Sequence, residues 1–441
     1  MRALFLGDII FCMKKIKRLP AEMWDRMQFL FRNYYDRTMH ATFYYDGELD
    51  VEVLKNAYMA VVNKIPVLHS TFHNSPIKPY WTVNDDFSAD DFFTFTETDD
   101  PDSVFDKFIT REVSPYGKAQ FRATVIRHNG KDIWAVVCNH MCFDGTDLRY
   151  FNMKVAESYN RHFTDNDYDV EVKSGTRSAE QVYSKMNEED YKHAKSLYKN
   201  VSTVENKITF PFGPDDDTLR SRMILKKLPS ETFLKMKARG KAMGATVNDV
   251  IVAAYFKALF AFVKTDGKAL TVPCMYDLRR YCGGHSEGLT NMIGFMPCTM
   301  DKVGDTMTET VELVRAALQL AKEDRFTGLY SLPLLKLAYT VFPQVIAEFA
   351  IKLGYTNPYI GMSNIGIVNP AEVTMNGMAP YDAFYSGAIK FKPYMQLALT
   401  TFKNEITFST AVRVTDAEEK VFRSFLDKVV EELTTFAEGN N

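Results

Sequence analysis

Residues 133–148, "IWAVVCNHMCFDGTDL", decide how the rest of the chain is read. Ile133 to Cys138 is apolar at every position. Such a run fits a strand covered on both faces and therefore central in a sheet. It follows "QFRATVIRH" across Asn129-Gly130, the strongest short hairpin signal. After the run come His140, Asp144 and Gly145, and then "TDLRYFNMKVAESYNRHF", which returns to helical spacing with Thr146 as its expected N-cap. A side chain on the first loop residues after a central strand is held by a rigid support. His140 stands there, with an ordinary pKa near ~6.5 that lets it accept a proton at neutral pH. Asp144 either orients that imidazole or holds the loop, and Gly145 allows a sharp turn or a close approach.

A metal reading of the same stretch fails on geometry. Cys138, His140 and Cys142 alternate along the chain. A strand advances ~3.3 Å per residue, which puts the two sulfurs ~13 Å apart. Zinc needs its thiolates at ~2.3 Å, so no metal is expected.

Outward from this centre, "MHATFYYDGELD" reads as a strand ending at Asp46-Gly47. "DVEVLKNAYMAVVNKIP" reads as a helix with Asp50 as N-cap and Pro66 beyond its end. Composition turns polar from about Thr164 to Thr218, and the strand and helix grammar then repeats. "SETFLKMKARGKAMG" is a helix with Ser230 as its expected cap, and "TVNDVIVAAYFKALFAFV" carries a capping pair, Thr246 and Asp249, before a nearly all-apolar helix that should be buried. The expected organisation is an arm over 1–20, a lobe over 21–163, a connector over 164–218 and a second lobe over 219–441.

The bulk numbers narrow the class. A chain of 441 residues is too long for one ordinary core. With 46% hydrophobic and 25% charged residues it is not a disordered chain. A net charge of −3 gives no basic field for nucleic acid. Cys12, Cys138, Cys142, Cys274, Cys282 and Cys298 are irregularly spaced, which favours reduced thiols in a cytoplasmic protein. The apolar run from Ala3 to Met13 is too short to span a bilayer and its basic cluster follows rather than precedes it, so neither a transmembrane segment nor a secretory signal is expected.

His140-x-x-x-Asp144-Gly145 between an apolar strand and a helix resembles the signature of the CoA-dependent acyltransferase superfamily, which includes chloramphenicol acetyltransferase, alcohol acetyltransferases, wax-ester synthases and condensation domains. "DGELDVEVLKNAYMAVVNKIPVLHSTF" resembles the opening of its N-terminal lobe. "TVNDVIVAAYFKAL", "PCMYDLRR", "GLTNMIGF" and "MSNIGIV" resemble successive segments of its C-terminal lobe, in family order. Two departures stand out: Asn139 occupies the place of a frequent second histidine, and the Asp-Phe-Gly-Trp-Gly motif of the plant branch is absent.

The resemblance implies an α/β fold of two chloramphenicol-acetyltransferase-like lobes, each a mixed sheet flanked by helices, with a tunnel between them. It implies acyl transfer from acyl-CoA to a hydroxyl or amine of a small acceptor, with His140 as general base, acyl-CoA as co-substrate and no tightly bound cofactor. Asp144 would pair with Arg279 across the lobes. Ser363, Asn364 and, less directly, Asn291 would be the oxyanion or substrate donors. Lys237, Arg239 and Lys241 would be available to the CoA phosphates, although a charged solvent face accounts for them as well. Two other readings stay open: a free-standing condensation enzyme fed by an acyl carrier protein, and an inactive two-lobed scaffold.

Overall fold

The computed structural model describes residues 17–165, 168–198 and 207–439. Cys12 and most of the expected arm, the middle of the connector, and the last two residues lie outside that range.

Asn129 and Gly130 both take positive φ, 50° and 71°, and close the hairpin between strands Phe121–His128 and Lys131–Asn139. The apolar run lies in the second of these. Its neighbours on either side are Thr38–Tyr45 and Phe121–His128, both antiparallel. Trp134 through Cys138 are completely buried, as a strand covered on both faces requires. Phe93–Glu97 extends the sheet in parallel beyond Phe121–His128. Helices Val51–Val62 and Gly145–His162 contribute buried faces to the same core. Asp50 caps the first by accepting from the N–H groups of Glu52 and Val53.

The second lobe is a six-stranded mixed sheet. Its strands, in spatial order, are Ile293–Met300, Leu270–Asp277, Ile360–Val368, Met395–Phe402, Glu405–Val414 and Arg220–Leu228. Helix Val247–Phe262 packs in its core with ten residues from Asp249 to Leu259 buried. Thr246 and Asp249 form the capping box that starts it. The helix before it, Ser230–Ala242, has Pro229 at the N-cap position with no side-chain cap, and Ser230 is its first residue. Its Gly240 lets the two helices approach: a Cβ there would meet Val250 Cγ2 at 3.0 Å.

Three elements tie the expected segments to one another or give them structure of their own. Arg18–Pro20, at the end of the expected arm, is a strand paired with Tyr80–Val83. The connector carries a short 3-10 helix, Ala179–Tyr183, and an α-helix, Glu188–Lys195. Strand Asp382–Ser386, deep in the C-terminal half, joins the N-terminal sheet beside Thr38–Tyr45. Tyr385 also stays tied to the C-terminal sheet, since its N–H donates to Thr400 Oγ1 and its carbonyl accepts from the same hydroxyl, each at 3.0 Å. The two lobes are thus joined by main chain as well as by side chains. Among the described residues no single helix is long and apolar enough to cross a membrane.

Candidate active site

The central strand ends at Asn139, and the next six residues form the site. Asn139 is buried and its amide faces inward. Its Nδ2 donates to Gln120 Oε1 at 2.7 Å, and its Oδ1 accepts from the Met141 N–H at 3.0 Å. Asn139 therefore fixes the turn beneath His140. The His140 backbone is fixed at both ends: its N–H donates to the Arg37 carbonyl at 2.7 Å, and its carbonyl accepts from Asn291 Nδ2 at 2.8 Å.

His140 Nδ1 lies 3.0 Å from the carbonyl oxygen of Phe143. A carbonyl only accepts, so Nδ1 carries the proton, and the Nε2 lone pair has no hydrogen-bond partner among the described residues. The ring is deep in the molecule yet lines the cavity between the lobes. Burial lowers its pKa below the usual 6.5; Asp144 pulls the other way and Lys390 adds to the depression. At neutral pH the ring is an uncharged base.

Asp144 does not touch the imidazole through a hydrogen bond. It is the N-cap of helix Gly145–His162, with Oδ1 accepting from the Asp147 N–H at 3.2 Å. The expected cap, Thr146, instead donates to Asp277 Oδ2 across the lobe boundary at 3.2 Å. Asp144 Oδ2 accepts from Arg279 Nη1 and from the Met292 N–H, both at 2.8 Å. Burial works against ionisation of Asp144, but the Arg279 guanidinium and these N–H donors outweigh it and hold the carboxyl below its usual range.

Arg279 is itself buried at 1% exposure. Its Nη2 donates to Asp147 Oδ2 at 2.8 Å and to the Thr290 carbonyl at 3.0 Å. Asp147 also accepts from the Thr290 N–H at 2.8 Å and pairs with Lys173 at 3.3 Å. Two carboxylates three residues apart share one face of a helix, and one planar guanidinium spans both. Asp147 was not singled out in the sequence, although its spacing from Asp144 was the available signal.

A second support comes from the connector. Arg177 donates to Asp25 at 2.8 and 3.0 Å and to the Cys142 carbonyl at 2.8 Å. Trp81 Nε1 donates to the same Asp25 at 2.8 Å. The His140 loop is therefore clamped from behind by a residue whose surroundings in the sequence read only as polar linker.

The cavity has a volume of about 200 Å³ and is walled by both lobes. His140, Asp144, Gly145, Ser363 and Asn364 line it. Ser363 is half-buried on a strand that is irregular between Asn364 and Gly366. Asn364 is engaged: its Oδ1 accepts from the Gly366 N–H at 3.0 Å and its Nδ2 lies 3.3 Å from Asn248 Oδ1. Gly145 needs neither a positive φ nor a close approach, because a Cβ there would make ordinary contact with Ile365 at 3.5 Å. Its lack of a side chain leaves the wall of the cavity open.

Two groups of residues expected at the site are elsewhere. Asn291 is fully buried behind His140, with its Nδ2 donating to the His140 carbonyl, and does not line the cavity. It positions the histidine instead of facing a substrate. Lys237, Arg239 and Lys241 do not line the cavity either. Arg239 reaches Thr308 at 3.3 Å and lies over the Phe436 ring, and Lys237 lies over Phe233 of its own helix.

No family model matches the chain, and no curated protein matches it by sequence. Solved structures do. The first condensation domain of the CDA synthetase superposes with a TM-score of 0.68 at 14% identity, covering 96% of each chain. A trichothecene 15-O-acetyltransferase from Fusarium sporotrichioides gives 0.67 at 12%, covering 95% of each. This chain has the condensation-domain and acetyltransferase fold. Polyketide synthase associated protein 5 from Mycobacterium tuberculosis shares it as well, with a TM-score of 0.63 at 15% identity over 96% of this chain and 97% of that one. The match over nearly the full length includes both lobes of the fold, and so the boundary at which His140 stands.

Proposed function

We propose that the chain is an acyltransferase that moves an acyl group from acyl-CoA to a hydroxyl or amine of a small acceptor. The observation that carries the proposal is the His140 imidazole, protonated at Nδ1 by virtue of the Phe143 carbonyl, with Nε2 free at a cavity walled by both lobes. Likeness of fold to an acetyltransferase and to condensation domains supports a transferase reading.

In the proposed reaction the acceptor hydroxyl or amine attacks the thioester carbon while His140 Nε2 takes its proton. The carbonyl oxygen becomes an oxyanion, and the Ser363 hydroxyl at the cavity wall is the donor we assign to it. The tetrahedral intermediate collapses with loss of the CoA thiolate, which recovers a proton from the His140 imidazolium. A thioester is already activated, so no acyl-enzyme intermediate is needed. Asp144 and Arg279 serve by holding the loop. The setting we assign is cytoplasmic, supported by the unpaired state of the five described cysteines.

The test is thiol release from acetyl-CoA and longer acyl-CoAs over a panel of alcohols and amines, run beside His140→Ala. Release that falls by roughly 10²–10⁴ in the variant supports the proposal. No release from any CoA, with transfer from a loaded carrier protein instead, assigns the donor to the carrier. Silence with both donors marks a scaffold without turnover.

A further inference from the structure

The cavity holds a cation for which the proposed transfer has no use. Lys390 stands four residues beyond strand Asp382–Ser386 and lines the cavity with His140. Its Nζ lies 3.8 Å from the centre of the Tyr35 ring, a cation–π contact that compensates the charge only in part. The acid that acts on it most is Asp36. That carboxylate is already occupied by the Thr38 N–H and hydroxyl, at 3.1 and 2.5 Å, and by the Ile389 N–H at 2.9 Å. Among the described residues Lys390 makes no ion pair and no side-chain hydrogen bond.

The other charges at the cavity wall are satisfied. Asp144 is spent on Arg279, and Asp277 accepts from Arg279 and Thr146. His140 is neutral, as its lowered pKa dictates. Among the described charges of the wall, the Lys390 ammonium alone has no direct ion pair and no side-chain hydrogen bond, and the carboxylate that acts on it, Asp36, does so through space. Burial brings its pKa down from 10.5 to about 8, with Asp36 opposing, which leaves it mostly charged at neutral pH. An ammonium in this position with no directly hydrogen-bonded partner is costly, even with Asp36 nearby. The walls beside it are aromatic: Phe31 lies 5.9 Å from Tyr35 and 5.6 Å from Tyr355, ring centre to ring centre.

We propose that Lys390 anchors an anionic head group, carboxylate or phosphate, of the acceptor substrate, whose apolar body lies against the aromatic wall around Tyr35. The inference rests on the cavity being the acceptor chamber of the proposed transferase. It assigns the acceptor to the hydroxy or amino acids and their phosphorylated analogues, rather than to simple alcohols or amines.

Calorimetric titration of the full chain, with no acyl donor present, tests it. The probes are 4-phenylbutyrate, 3-phenylpropylphosphonate and the neutral 4-phenylbutyramide. At least one anion should bind roughly tenfold or more tightly than the amide, the scale of a hydrogen-bonded ion pair. Lys390→Met should bring that preference to within about twofold and leave the amide affinity in place. Lys390→Arg should keep most of it, and Lys390→Gln replaces the methionine variant should that fail to fold. Preference for one anion over the other names the head group and supports the proposal. Equal affinity for acid and amide, an unchanged preference in Lys390→Met, or no binding of any probe at millimolar concentration overturns it. His140→Ala should retain the preference, so loss of acyl transfer and loss of this site are separate readings.

Discussion

Arg279 reaches across the lobe boundary and sets Nη1 2.8 Å from Asp144 Oδ2, while its other nitrogen holds Asp147 at the same distance. All three side chains are at most 3% exposed. Such a network stabilises when complete and is costly when one member is lost.

Asp144→Ala is therefore expected to destabilise the fold by roughly 3–5 kcal/mol. Arg279→Lys should destabilise as well, because a point charge cannot span two carboxylates as a planar fork does. Urea denaturation measures both. Midpoints unchanged from the wild type would remove the network from its structural role.

Asn139 invites a different substitution. Asn139→Ala leaves the buried side-chain amide oxygen of Gln120, Oε1, without its donor, at a cost of about 1–3 kcal/mol. Asn139→His adds bulk to a packed site 1% exposed, for about 1–3 kcal/mol of overpacking. It should lower stability and bring no gain in thiol release. A more active histidine variant would contradict the inward-facing role.

The acid limb of the transfer rate should lie below pH 6.5, since burial depresses His140 from that value. Nε2 is then available throughout the neutral range and is lost only as pH falls through the lowered pKa. The pH profile of kcat/KM reports this group in the free enzyme. A limb at or above 6.5 would argue for another base.

His40 makes the lobe junction sensitive to acid. It is fully buried opposite Ser386, and Nδ1 donates to the Gly387 carbonyl at 3.0 Å. Burial lowers its pKa from 6.5 to about 4. The unfolded chain takes up this proton first, so its contribution is complete above pH 6.5 and declines as pH falls towards 4. The loss from this group amounts to about 3 kcal/mol. His40→Gln should flatten that part of the stability curve, measured by denaturation at several pH values. An equally steep decline in the variant would assign the acid sensitivity to other groups.

Much of the site loop is legible in the chain itself. An all-apolar run after Asn-Gly marks a central strand, and a central strand leaves its following residues on a rigid base. The Asp50 and Thr246 caps are equally local, since a cap bonds to N–H groups two or three residues on. Where a cap has a distant competitor, local reading fails. Asp144 takes the cap expected of Thr146, and Thr146 turns to Asp277 in the other lobe. Helices Met307–Glu323, Leu332–Val341 and Gln344–Gly354, and strand Asp382–Ser386, were not read at all.

By itself the sequence determined where His140 stands along the chain, and that a buried strand precedes it and a helix follows. It determined this because apolar runs, turns and caps act over a few residues. Tertiary structure alone decided what each polar group does. It turned Asn139 and Asn291 into supports for the histidine, set Arg279 between Asp144 and Asp147, and brought Lys390 to the cavity 250 residues beyond His140. Those roles depend on which hydrogen-bonding and charged partners folding brings within about 3 Å, and partners far apart in sequence leave no local pattern.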